Sequence, residues 1–265
     1  MSEKGPEFSQ NEEKSRRVEI NTPLDFAELF EFLANSGLEN WANREDFERE
    51  LEQSGLEKED IALATKFMMC LATVNQLVFQ DRAELIFSTN KEKSENFVQY
   101  LPEKKEIDQD ESYWINVKFF GQTIREIVGE NRTVFLDEAG HLIKSEEEAP
   151  PVSLEELLLG IAVHEVRHRL QKKKGIKLIG PSSKVFFEGN QIDDEFINLQ
   201  SSFISGQKKK LKSRGDVKEG LLERKTGSEE LDAVIIEKIA VSRLYHRKTS
   251  LEQLRQLISI EPEDK

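Results

Sequence analysis

Apolar residues recur along this chain with two periods, and the change of period divides it. In the first part they come at spacings of three and four. Leu24, Phe26, Leu29, Phe30 and Leu33 make one stripe, with Thr22 and Pro23 predicting a helix start and Gly37 its end. A second helix is expected from about residue 43, turning Phe47 and Leu51 inward, and a third over 58–79, with Ile61, Ala64, Phe67, Met68, Leu71, Val74 and Leu77 as its buried stripe. From Arg82 to Ile143 the spacing shortens. Residues 83–87, 96–101, 113–120 and 133–136 are short apolar or alternating runs that predict strands, punctuated by Pro102, Gly121 and Gly129, with 122–128 as a short helix. Residues 137–140 read as a turn and 141–143 as a returning strand. The helical period resumes at Ser153, where Ser153 and Glu156 form a capping-box pattern; Leu154, Leu157, Leu158 and Ile161 face inward, and Lys172, Lys173, Lys174 and Gly175 close the helix. A long helix over 228–246 and a shorter one over 250–258 complete the pattern. Helices followed by strands and then helices again predict an α+β fold with a small antiparallel or mixed sheet.

Composition refines the divisions. Residues 1–18 are charged and almost free of large apolar side chains, so they read as a disordered acidic tail. Residues 19–80 form a helical N-terminal region, and 81–260 a second unit. Within it Lys208, Lys209, Lys210, Lys212, Arg214, Lys218, Arg224 and Lys225 mark a basic stretch, read as a mobile loop over 205–227. No aromatic residue interleaves with these cations, and the net charge of −13 with pI near 5.0 argues against nucleic acid as a partner. The single cysteine, Cys70, excludes a disulfide framework and a cysteine-rich zinc site; it falls on a predicted buried helix stripe as an inert thiol. The first 17 residues have no apolar signal-like run, and the apolar stretches read as shorter than a bilayer span. The expectation is a soluble cytoplasmic protein with no membrane partner.

The chemistry concentrates in five residues, His164-Glu165-Val166-Arg167-His168. Two histidines four apart on a helix lie on one face and can reach one metal, and the glutamate after the first is placed to take a proton from a water on that metal. Both histidines continue the apolar stripe of their helix. A catalytic zinc usually has three protein ligands. The run Arg169-Leu170-Gln171-Lys172-Lys173-Lys174 after His168 lacks the extended three-histidine pattern, and cysteine is unavailable, which leaves a carboxylate. On a wheel of the 228–246 helix, Glu230 and Glu237 both fall among Ala233, Val234, Ala240, Val241 and Leu244, where an ionised carboxylate is costly unless a cation faces it. Asp193 and Asp194 are less favoured alternatives.

A His-Glu-x-x-His helix followed by Glu230-Leu231-Asp232-Ala233 on a later helix resembles the gluzincin branch of the zincin metallopeptidases. The match covers about 153–171 and 228–246. The resemblance implies a zincin-like core, Zn²⁺ held by His164, His168 and Glu230, Glu165 as general base, and hydrolysis of a peptide or protein substrate. Relatives often carry Asp or Asn where Val234 stands, so Asp232 or Glu237 is the expected outer partner of a ligand histidine. The resemblance also implies a strand at the cleft edge, assigned to 133–143, and an oxyanion partner, assigned to Tyr245 or His246. The alternative is a non-catalytic metal-binding or helical protein-interaction module with a degenerate site.

Overall fold

The computed structural model describes residues 23–35, 49, 51–53, 55–79, 84–88, 98–102, 111–116, 136–143, 153–214, 227–246 and 248–263. The assignments made above for the tail, the 122–128 helix and the start of the second helix lie outside these residues. The elements in chain order are α1 (Phe26–Asn35), α2 (Lys58–Val78), β1 (Glu84–Ser88), β2 (Val98–Leu101), β3 (Ser112–Asn116), α3 (Leu154–Lys174), β4 (Phe186–Phe187), β5 (Asn190–Gln191), α4 (Asp194–Arg214), α5 (Ser228–His246) and α6 (Leu251–Ile258). The mixture of helices with small sheets is α+β, as expected.

Several boundaries follow from local chemistry. α1 starts later than Pro23 because Asp25 and Glu28 cap it reciprocally, each side chain accepting from the other's backbone N–H. Leu24 instead forms a β-bridge with Thr249, ahead of α6. α3 has the predicted capping box at Ser153 and Glu156, and it ends on Gly175 in the left-handed conformation that glycine adopts without a Cβ clash. A second capping box, Ser250 with Gln253, starts α6.

The sheet has the order β1-β3-β2. β1 runs parallel to β3, and β2 runs antiparallel to β3 with Tyr100 opposite Tyr113. Of the 133–143 segment the described part is a bridged turn, with Leu136 paired to Leu142 and Gly140 at φ 93°. Its backbone is tied to Ser242 and Asp193, so it packs on α5 and the start of α4.

Two expectations need correcting. The 205–227 stretch is not a loop throughout, since α4 continues to Arg214. Lysines are good helix formers, and cations near a helix C-terminus are favoured by its dipole; charge density alone misled. The apolar stretch of α2 is also longer than expected. It is a 21-residue helix long and apolar enough to cross a bilayer. Here Phe67, Met68, Cys70, Leu71 and Val74 are buried in the protein core, and burial pushes the Cys70 thiol well above its ordinary range.

One hydrophobic cluster runs through the molecule. Leu29, Phe30 and Leu33 of α1 and Phe67 and Leu71 of α2 share it with Leu158, Ala162 and Val166 of α3, Ile235 and Ile239 of α5, and Leu254 and Ile258 of α6. α3 lies between α2 and β2 on one side and α5 on the other. Gly160 makes the second contact close: a Cβ there would sit 3.0 Å from Val241 Cγ2 and 3.2 Å from Glu237 Cγ. The missing side chain lets α5 approach one turn before His164.

Candidate metal centre

His164 and His168 are one turn apart on the α5-facing side of α3, and Glu230 is in the first turn of α5. Close packing of the two helices brings the three together. His164 Nε2 and His168 Nε2 are 3.1 Å apart, His164 Nε2 is 3.5 Å from Glu230 Oε1, and His168 Nε2 is 3.3 Å from Glu230 Oε2. A tetrahedral ion about 2.0–2.2 Å from nitrogen and oxygen donors holds them roughly 3.3–3.5 Å apart. The three separations therefore suit one small ion, and two imidazoles with a carboxylate suit zinc better than calcium or magnesium, which take oxygen.

The other ring nitrogens are held by acceptors. His164 Nδ1 lies 3.1 Å from Glu237 Oε2, and a carboxylate there takes the Nδ1 hydrogen. His168 Nδ1 lies 2.9 Å from Gln171 Oε1. In the neutral rings both Nε2 atoms then carry lone pairs, and these face each other across 3.1 Å. Two acceptors cannot satisfy one another; the arrangement calls for a proton on one ring or a cation between them. In the metal-free protein the proton goes to His164. Burial opposes that charge, but the Glu237 hydrogen bond and the charges of Glu230, Glu237 and Glu165 outweigh it and raise His164 to about 9.

Glu230 is partly buried among these groups. Burial works to raise its carboxyl, yet His168 and His164 hold it below the ordinary value. Glu237 also ends well down, at about 2: burial is opposed by Lys238 and His164, and Lys238 Nζ is 2.8 Å from Glu237 Oε1. Among the described residues neither Glu230 nor Glu165 pairs with a lysine or arginine.

Glu165 points away from α5, as its helical position dictates. Its Oε2 accepts the backbone N–H of Tyr100 on β2 at 2.5 Å. Burial raises its carboxyl above the ordinary range, with His164 and His168 and the Tyr100 N–H pulling the other way. The strand beside Glu165 is thus β2 rather than the 133–143 segment.

The remaining candidates fall elsewhere. Asp193 accepts from the N–H groups of Leu142 and Glu195, and Asp194 from Gln191, so both serve the start of α4. Tyr245 and His246 stand at the far end of α5, about 22 Å along the axis from Glu230 at 1.5 Å per residue, too far to share its site. Asp232 does not touch a histidine. It accepts two bonds from Arg167, one from Gln171 and one from the Ile179 N–H, all at 2.7–2.9 Å and fully buried.

Sequence reasoning missed Gly160, Gln171, Tyr100 and Arg167. A lone glycine inside a strong helix signals close approach of another backbone, and Gln171 shares a helix face with His168; both signals were available. The Tyr100 contact is made by a backbone N–H, which no residue type announces. No protein-family model, curated protein or solved structure matches the chain.

Proposed function

We propose that the chain is a zinc-dependent metallopeptidase with a zincin-like core, a hydrolase of peptide bonds in a peptide or protein substrate. The observation that carries this reading is the meeting of two histidine Nε2 atoms and a carboxylate that no lysine or arginine neutralises among the described residues, with a buried glutamate on the same helix. His164, His168 and Glu230 would hold Zn²⁺, which when bound polarises a carbonyl and makes a water acidic enough to attack near neutral pH. Glu165 is the general base. Its raised carboxyl makes it a better proton acceptor, and the Tyr100 N–H on Oε2 leaves Oε1 to take the proton of the attacking water and pass it to the leaving amine. Glu237 keeps a hydrogen on His164 Nδ1, so Nε2 would be the atom offered to the ion.

The test is metal analysis with peptide hydrolysis. Wild type should hold about one zinc per chain, with His164→Ala and Glu230→Ala losing or weakening it. Glu165→Gln should keep the zinc and lose hydrolysis by about 10²–10⁴-fold. A wild type that takes no zinc when it is added back would overturn the reading, and unchanged hydrolysis in Glu165→Gln would remove the base. The alternative, a non-catalytic metal-binding or interaction module, draws on Leu199 and Phe203, exposed one turn apart on α4. Tight zinc with no cleavage of any peptide library favours that reading.

A further inference from the structure

We infer that Gln171 is a positioning residue that decides which ring nitrogen of His168 is free to bind a metal. Donor counting fixes the orientation of its amide. Gln171 Nε2 lies 2.8 Å from the backbone oxygen of Glu229 and 2.7 Å from Asp232 Oδ2. Both partners only accept, so both amide hydrogens point at α5 and the amide oxygen faces His168. That oxygen, 2.9 Å from His168 Nδ1, can only accept in turn. The hydrogen of the neutral ring therefore belongs on Nδ1, and Nε2 keeps its lone pair toward His164 and Glu230.

The amide cannot turn over, because its far end is anchored. Asp232 is fully buried and held by the Arg167 guanidinium through two bonds and by the Ile179 N–H. Arg167 is held in turn by the Ile258 carbonyl, 2.8 Å from Nη1. Flipping the amide would set its oxygen against a carboxylate and a carbonyl, and its NH₂ against the ring. The same geometry explains an amide rather than an acid. A glutamate at 171 could accept from His168, but it would place a second carboxylate at hydrogen-bond distance from Asp232. His164 meets a carboxylate directly, whereas His168 meets one through a neutral relay.

The effect on affinity rests on the zinc reading above; the tautomer does not, and that separates the two in experiment. Long-range ¹H–¹⁵N imidazole spectra of the metal-free wild type should show neutral His168 protonated on Nδ1, and Gln171→Leu should shift it toward the Nε2–H form. A zinc-chelator competition should show affinity lowered by about 10–100-fold in Gln171→Leu, with Gln171→Glu failing to recover the wild-type value. An Nε2–H tautomer in the wild type overturns the inference, whether or not the variants fold. So does Gln171→Leu with unchanged tautomer and affinity, or full affinity in Gln171→Glu. If the wild type takes no zinc, the metallopeptidase reading fails while the tautomer still judges Gln171.

Discussion

The two polar faces of α3 are built from similar parts and reach opposite states. On the sheet side Arg169 donates to both oxygens of Glu111 and to Asn75 Oδ1, Lys173 pairs with Glu111, and the hydroxyls of Tyr100 and Tyr113 donate to Glu111 and Asn75. That side carries its own cations. On the α5 side Arg167 neutralises Asp232 and Lys238 sits on Glu237, but Glu230 faces two histidines and no lysine or arginine among the described residues. The Glu111 cluster is closed by lysine and arginine of the chain itself; Glu230 has only the two histidines opposite it among the described residues. Charge balance, rather than the mere presence of histidines, distinguishes a structural polar cluster from a candidate site.

The largest expected effect comes from breaking the brace behind the histidine face. Arg167→Met leaves Asp232 buried with only the Gln171 and Ile179 donors, and should lower the unfolding free energy by about 3–5 kcal/mol in urea titrations. Arg169→Met should cost less, because Lys173 still faces Glu111; equal costs would erase the distinction drawn here. Next is the helix approach. Gly160→Ala puts a methyl against Val241 and Glu237, and should cost about 1–3 kcal/mol and weaken zinc in chelator competition by displacing the partner of His164. Full affinity would show that the helices have slack.

The smallest effect is on the sheet face and depends on pH. Burial works to raise Glu111, but Arg169, Lys173 and the Tyr100 hydroxyl outweigh it and bring the carboxyl to about 2, against an ordinary 4.5. The unfolded chain therefore takes up the proton first as pH falls. The stabilisation is present above about 4.5 and is lost on descending through about 2. Glu111→Gln should be less stable than wild type by about 1–2 kcal/mol near neutral pH, after screening by solvent, with the gap closing near pH 2. A gap independent of pH would mean that the ion pairs contribute nothing specific.

Much of the scaffold was legible because its signals are local. The Ser153–Glu156 box, Gly175 and the apolar stripes set α3 and α2 within a residue or so, and short alternating runs located β1, β2 and β3. The convergence of His164, His168 and Glu230 was readable because the two histidines share a face and because Glu230 is costly on an apolar stripe without a partner. What escaped depends on distant pieces meeting. Arg169 finds Glu111 across 58 positions, and Glu165 finds a backbone donor 65 positions away, contacts that periodicity does not encode. Tyr245 and His246 failed for a simpler reason, since a continuous helix holds them far from its own first turn. α4 was misread over 205–214 because like charge was taken as a sign of a loop, although lysine does not oppose a helix.

The hydrogen bond from Arg167 to the Ile258 carbonyl has a consequence in time. Its two ends are 91 positions apart. At synthesis rates of about 5–20 residues per second, the histidine pair is made roughly 5–20 seconds before the last support of its helix exists. Glu230 and Asp232 come about two thirds of the way through that interval, and the Ile258 carbonyl that steadies Arg167 comes at its end. The order of synthesis thus makes the two histidines first and the last contact that fixes their helix at the end.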